Sequence, residues 1–131
     1  MNKKFEIVEL TPSGLQKCAS FWDDINDTRL TDRQTFVYKM GGECVGGCAL
    51  FERYEKCGHF SHFVVRSDLR GKGIGSKLIE FAINYFKEAG MEIMRLHVDE
   101  NNPSAIRLYE RYSFKRAENI TPEKFIMIKI L

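Results

Sequence analysis

Arg70-Gly71-Lys72-Gly73-Ile74-Gly75 follows the apolar run Phe63-Val64-Val65 and leads into a segment with helical spacing. Glycines at 71, 73 and 75 carry no Cβ to hold a ligand off the main chain, and they let the backbone turn its N–H groups to one side. A helix starting at this point adds unpaired amide donors and the positive end of its dipole. Strand, glycine loop and helix in that order make a site for an anion such as phosphate. Two nucleotide loops fail on spacing. A Walker A loop ends in Gly-Lys-Ser/Thr, but Lys72 precedes Gly73, and a dinucleotide loop needs glycine where Ser76 stands, sixth from Gly71. A nucleotide-binding protein would prefer NAD or ATP as its ligand.

Outward from the loop the chain divides into elements. Phe5 to Leu10 alternates as a strand, and Thr11-Pro12 opens a helix whose stripe is Leu15, Cys18, Ala19, Trp22 and Ile25. Asn26 to Arg33 is a polar connection. Thr35 to Met40 and Cys44 to Tyr54 read as strands joined at Gly41-Gly42, a pair suited to a tight hairpin. A further strand runs from Gly58 to Val65. Ile74, Leu78, Ala82, Tyr85 and Ala89 then recur at helical spacing, with Gly90 as the stop. Ile93 to Val98 is a strand that lies parallel to its predecessor, since a long helix separates the two. Helix 103–112 and the strands Phe114 to Ala117 and Phe125 to Ile130 complete the chain.

The loop's Arg70-x-x-Gly73-x-Gly75 pattern has a companion in Asn102-Pro103-Ser104-Ala105-Ile106-Arg107-Leu108-Tyr109-Glu110. Asn102 suits a helix cap, Pro103 suits the first turn, and Ala105, Leu108, Tyr109 and Tyr112 share one side. The first pattern resembles the acyl-CoA pyrophosphate loop of the GNAT superfamily of N-acetyltransferases. The second resembles that family's Asn-x-x-Ala-x-x-Leu-Tyr-Glu segment, and the two stand in the family's order and separation. The resemblance covers roughly residues 35 to 131, while residues 1–34 match only in general layout. It implies an α/β (α+β) domain of the GNAT fold, with a mixed central sheet of about seven strands and helices on both faces. One departure is Ser113-Phe114 where the family commonly has Gly-Phe: glycine permits a left-handed turn there, and serine adopts it with strain.

Composition sets the outer limits. A chain of 131 residues is read as one domain, residues 1–131, and its 44% hydrophobic and 29% charged content is that of an ordinary globular protein. A net charge of +2 argues against a nucleic-acid partner. Arg66, Arg70, Lys72 and Lys77 are better placed for phosphates of a small cofactor, with at least one of them reserved as plain surface charge. Cysteines 18, 44, 48 and 57 show no paired or metal-ligand spacing with the histidines, so reduced thiols and no metal are expected. No apolar stretch approaches the ~20 residues that span a bilayer. Neither membrane nor signal peptide is expected, and a cytoplasmic location follows.

The resemblance implies transfer of an acetyl group from acetyl-CoA to the primary amine of a small molecule or peptide, by direct attack in a ternary complex. An alkyl amine with a pKa of ~10.4 is almost wholly protonated at neutral pH, so a proton acceptor is wanted. The departing thiolate, conjugate base of a thiol with pKa ~8.5, gains from a proton donor. Tyr109 occupies the family's donor position. For the acceptor, His59 and Ser61 match family base positions on the strand before the loop; histidine is the suitable type, a water chain is an equal contender, and His97 and Glu100 are further choices. Alternation puts His59, Ser61, Phe63 and Val65 on one strand face and His62 on the other. By the resemblance, Phe63, Val64 and Val65 contact the acetyl carbonyl and pantetheine, while Arg70, Gly71, Lys72, Gly73, Ile74, Gly75, Ser76 and Asn102 belong to the cofactor site. The opposing reading is a non-catalytic acyl-CoA-binding regulatory module. A homodimer is open to the chain, with Phe125 to Ile130 as a strand able to supply an edge.

Overall fold

The computed structural model describes residues 5–9 and 34–131. The elements are β1 (Phe5–Glu9), β2 (Gln34–Met40), β3 (Glu43–Tyr54), β4 (Cys57–Val65), a 3₁₀ turn (Ser67–Leu69), α1 (Ile74–Glu88), β5 (Ile93–Asp99), α2 (Pro103–Arg111), β6 (Lys115–Asn119) and β7 (Lys124–Ile130). The helix expected from Thr11 and the connection Asn26 to Arg33 lie outside the described residues. Among those residues the strands form one mixed seven-stranded sheet in the order β1-β2-β3-β4-β5-β7-β6. The described residues fall into two compact units, one containing β1, residues 34–51 and His62–Phe81, the other Glu52–Ser61 with Ala82–Leu131.

In the first unit β2 pairs antiparallel with both β1 and β3. The β2–β3 turn is the expected one: Gly41 and Gly42 have φ of 60° and 81°, the paired positive values of a tight hairpin turn. Val37, Val45, Ala49 and Leu50 are buried with Ile74, Leu78 and Ile79 of α1, and the Phe36 and Phe81 rings meet edge-on at 4.7 Å. Gly46 is a close-packing point. A Cβ there would stand 2.9 Å from the Val64 carbonyl oxygen, so the strand leading to the glycine loop packs on bare backbone.

In the second unit β4 pairs parallel with β5, as the intervening helix requires, from Cys57↔Ile93 to Phe60↔Leu96. β5 pairs antiparallel with β7, which pairs antiparallel with β6. This corrects the expectation for Phe125 to Ile130: β7 is an interior strand, and the outer strand is β6, whose five residues are all exposed and include Lys115, Arg116 and Glu118. Charge on an outer strand discourages edge-to-edge pairing. Phe60, Phe86, Met94, Leu96, Tyr109, Phe114, Phe125 and Met127 fill the core. The buried stripe of α1 is Ile74, Leu78, Ile79, Ala82, Ile83 and Phe86, while Tyr85 is half-buried and Ala89 exposed beyond the last turn.

Among the described residues both α-helices end in the same way. In α1 the Met91 N–H donates to Phe86 O at 2.9 Å and the Gly90 N–H to Lys87 O at 3.1 Å, with Gly90 at φ 83°. In α2 the Phe114 N–H donates to Tyr109 O at 3.1 Å and the Ser113 N–H to Glu110 O at 3.0 Å, with Ser113 at φ 69°. Each is a Schellman turn. Serine therefore makes the left-handed turn that glycine makes elsewhere, as the sequence indicates.

Thiol chemistry divides the cysteines. Cys48 and Cys57 are buried thiols outside any disulfide, and burial pushes the Cys48 thiol up to about 12. Cys44 is disulfide-bonded, against the expectation of reduced thiols throughout. Among the described residues no helix is long and apolar enough to cross a membrane.

Candidate functional site

The glycine loop belongs to the first unit. After β4 the 3₁₀ turn delivers Arg70 in extended conformation, and its Nε donates to Val65 O at 3.1 Å, tying the loop to the end of the strand. Gly71 and Gly73 then take φ of 80° and 86°. A Cβ on either would meet nothing within 4 Å. Protein packing therefore does not demand glycine here; the left-handed backbone does, and the space beside it is open to a ligand. Gly73 O accepts from the Lys77 N–H at 3.1 Å as α1 begins, and the first turn of α1 carries no acidic residue. Its leading amides are the unpaired donors of a helix start, facing no carboxylate from their own turn. Ile74 is buried at 2% and packs on the core side of the loop. Phe63, Val64, Val65, Gly75 and Ser76 are half-buried, and Lys72 is exposed.

Arg66 is the basic residue with a structural task. It donates to Asp68 at 2.7 Å and to Glu43 at 2.9 Å. The Arg66 hydrogen bond holds the Asp68 carboxyl below the usual range, and the same two carboxylates raise Arg66. Asp68 is thereby charge-compensated beside a loop suited to anions, and Arg70 and Lys72 are the cations that project from the loop itself.

Tyr109 belongs to the second unit. Asn102 caps α2, its Oδ1 accepting from the Ala105 N–H at 3.3 Å, and Pro103 fills the first turn, as the sequence indicates. Tyr109 is 5% exposed, its ring 6.5 Å from Phe60 and 5.9 Å from Phe114. The Schellman turn supplies that second contact, since it brings residue 114 back over residue 109. A left-handed serine thus fixes the rotamer environment of the proposed donor.

His59 lies on the other side of the same strand. Phe60 faces Tyr109, so its neighbour His59 faces away by alternation. His59 is 5% exposed, and its ring stands edge-on to His97 at 4.7 Å. The structure therefore joins two of the sequence candidates for the base in one pair. His97 Nε2 lies 2.9 Å from Arg95 Nη2. Arginine can only donate, so Nε2 accepts and the neutral ring carries its proton on Nδ1. Arg95 also donates from Nη1 to the Tyr54 hydroxyl at 2.6 Å. Glu100, a further candidate, is ion-paired with Arg116. His62 has φ of 52°, a left-handed residue inside β4. A left-handed residue departs from extended backbone, so the alternation that runs through His59 and Ser61 does not extend unbroken to Phe63 and Val65.

Arg95 and Tyr54 were not among the sequence candidates. The available signal was Arg95 itself, a charged residue at the centre of the apolar run Ile93-Met94-Arg95-Leu96. Its partners sit on another strand end and two residues along its own, which spacing alone does not reveal.

Comparison with known proteins bears on this geometry. Residues 4–114 match the model of the acetyltransferase (GNAT) family. An uncharacterized N-acetyltransferase of Methanocaldococcus jannaschii is 36% identical over 89 residues, covering 63% of this chain and 39% of that protein. The N-alpha-acetyltransferase MAK3 of Arabidopsis thaliana is 34% identical over 82 residues, covering 60% and 43%. The chain thus spans about two fifths of the length of these relatives. Among solved structures, the PaiA N-acetyltransferase of Thermoplasma acidophilum, in complex with coenzyme A, superposes with a TM-score of 0.86 at 16% identity, covering 98% of this chain and 99% of that one. Ard1 of Thermoplasma volcanium gives 0.84 at 22%, with 97% of each covered.

Proposed function

Because the chain belongs to the acetyltransferase (GNAT) family, we propose that it transfers the acetyl group of acetyl-CoA to a primary amine by direct attack in a ternary complex. The observation that carries this is the loop: left-handed Gly71 and Gly73, open on the side where a Cβ would point, at the start of an α1 with no acid in its first turn. That form fits a pyrophosphate. Arg70, Gly71, Lys72, Gly73, Gly75 and Ser76 hold it in this reading, Ile74 through its main chain, and Asn102 serves through the helix it caps. Residues 1–131 act as one domain, in the cytoplasm where acyl-CoA is at hand.

Bound acetyl-CoA supplies an activated acetyl thioester. A main-chain N–H of Phe63–Val65 hydrogen-bonds the acetyl carbonyl oxygen as charge develops there. The Tyr109 hydroxyl gives a proton to the departing sulfur, and His59, on the other face of β4 and backed by His97, accepts the proton of the incoming amine through a water chain. The acceptor is a small molecule or peptide amine. The N-alpha-acetyltransferase names of two relatives, from Arabidopsis thaliana and Xenopus laevis, support an α-amino group.

Two measurements test the reading. Thermal shifts should rank acetyl-CoA above NAD and ATP, and initial rates with varied acetyl-CoA and amine should give intersecting lines. Preference for a nucleotide would remove the loop assignment; parallel lines would replace direct attack by an acyl-enzyme.

A further inference from the structure

Arg95 is a buried cation, 6% exposed, in the middle of β5. Ion pairs among the described residues include Lys56–Glu92, Arg66 with Glu43 and Asp68, and Arg116–Glu100. None involves Arg95. Its hydrogen bonds go to two neutral groups, the Tyr54 hydroxyl at 2.6 Å and His97 Nε2 at 2.9 Å, and its Nε is buried with no hydrogen-bond partner. Burying a guanidinium without a counter-charge is strongly unfavourable, and such groups persist where something else supplies the anion.

The contacts themselves indicate what that anion is. Nη1 and Nη2 each hold one neutral acceptor, and these two nitrogens are a pair of donors that the oxygens of a carboxylate can engage. One of these acceptors reaches outward: Tyr54 is 57% exposed, its hydroxyl on Nη1 and its ring centre 6.0 Å from the guanidinium carbon. Exchange of the phenol oxygen for a carboxylate oxygen gives Arg95 a counter-ion without disturbing the strand. The other acceptor, His97, meets the His59 ring edge-on, so a molecule anchored at Arg95 joins the side-chain cluster that holds the proposed base.

We propose that Arg95 receives a carboxylate of the acceptor, so that the amine acetylated here belongs to a molecule that also bears a carboxylate. The inference rests on the acetyl-transfer reading for its catalytic consequence. The carboxylate belongs either to a free amino acid or to an acidic residue at a peptide amino terminus, and the test includes both.

Matched acceptors differing only in that group are compared by thiol release: a free amino acid against its carboxamide, and a peptide beginning with Glu against one beginning with Gln. Within at least one pair, kcat/KM should favour the carboxylate by on the order of 10²-fold. Arg95→Met should collapse the preference, the kcat/KM ratio between the two members of each pair falling toward one. Tyr54→Phe, at an exposed position, should lower KM several-fold for the carboxylate form alone, because the competing oxygen is gone, and it serves if Arg95→Met does not fold. Equal use of both members of both pairs by the wild type, or a preference that survives in Arg95→Met, overturns the proposal. Absence of thiol release with every acceptor counts against acetyl transfer. The site is then judged by thermal shift with N-acetylglycine and N-acetylglycinamide, of which only the carboxylate should stabilise the wild type and neither Arg95→Met; equal shifts overturn it.

Discussion

At the scale of single residues, loop and donor make separable predictions. Gly73→Asp places a carboxylate where the loop is open, so little in the protein itself is crowded. The left-handed backbone costs about 1–2 kcal/mol for a residue with a Cβ, and less for aspartate than for most. The variant should fold, and calorimetry should show a large loss of CoA affinity; unchanged affinity would remove the loop from the cofactor site. Tyr109→Phe keeps the ring contacts with Phe60 and Phe114. Turnover at saturating acetyl-CoA should fall on the order of 10²-fold with CoA affinity retained, whereas near-normal turnover would leave Tyr109 a packing residue. Ser113→Gly should raise stability by about 0.5–1 kcal/mol, the left-handed penalty of serine less the extra chain entropy of glycine. A melting curve reads this as a rise of a few degrees, and a fall would contradict the strain assigned to φ 69°. The Cys48 thiol gives a pH dependence. Its pKa is raised by burial from 9.0 to about 12, so its contribution to stability is complete below pH 9 and is lost as pH rises toward 12. Denaturant titrations should show that alkaline loss reduced in Cys48→Ala, and an unchanged slope would assign it to other groups.

At the scale of elements, α1 approaches β4 through a missing side chain. A Cβ on Gly58 would lie 2.5 Å from the Phe86 ring, which is itself buried. Gly58→Ala should therefore cost about 1–3 kcal/mol by overpacking, with partial recovery in the double variant Gly58→Ala, Phe86→Leu. Double-variant chemical denaturation measures this, and simple additivity would mean that the two residues do not share the space. Elements with local signals were legible in the sequence: the Gly41-Gly42 hairpin, the Asn102-Pro103 start of α2 and the Gly90 stop of α1 are each decided by a few adjacent residues. The position of β7 between β5 and β6 was not, since strand order depends on pairings between distant segments. The break in alternation at His62 was also hidden, because nothing in a histidine demands a positive φ.

At the scale of the whole molecule, the family and the fold were carried by two motifs whose spacing reflects a shared backbone requirement. The chemical cluster around Arg95 was not legible, because His59, His97 and Tyr54 come to it from three places in the sequence. The central claim is catalysis, as opposed to mere binding of an acyl-CoA. It is tested most directly by following thiol release from acetyl-CoA on the purified protein, with and without a panel of amino acids, polyamines, aminosugars and peptide amino termini. Acetyl transfer predicts release that depends on one class of amine and saturates with its concentration. Tight binding of acetyl-CoA with no amine-dependent release across the panel would contradict it and leave the chain as a sensor of acyl-CoA.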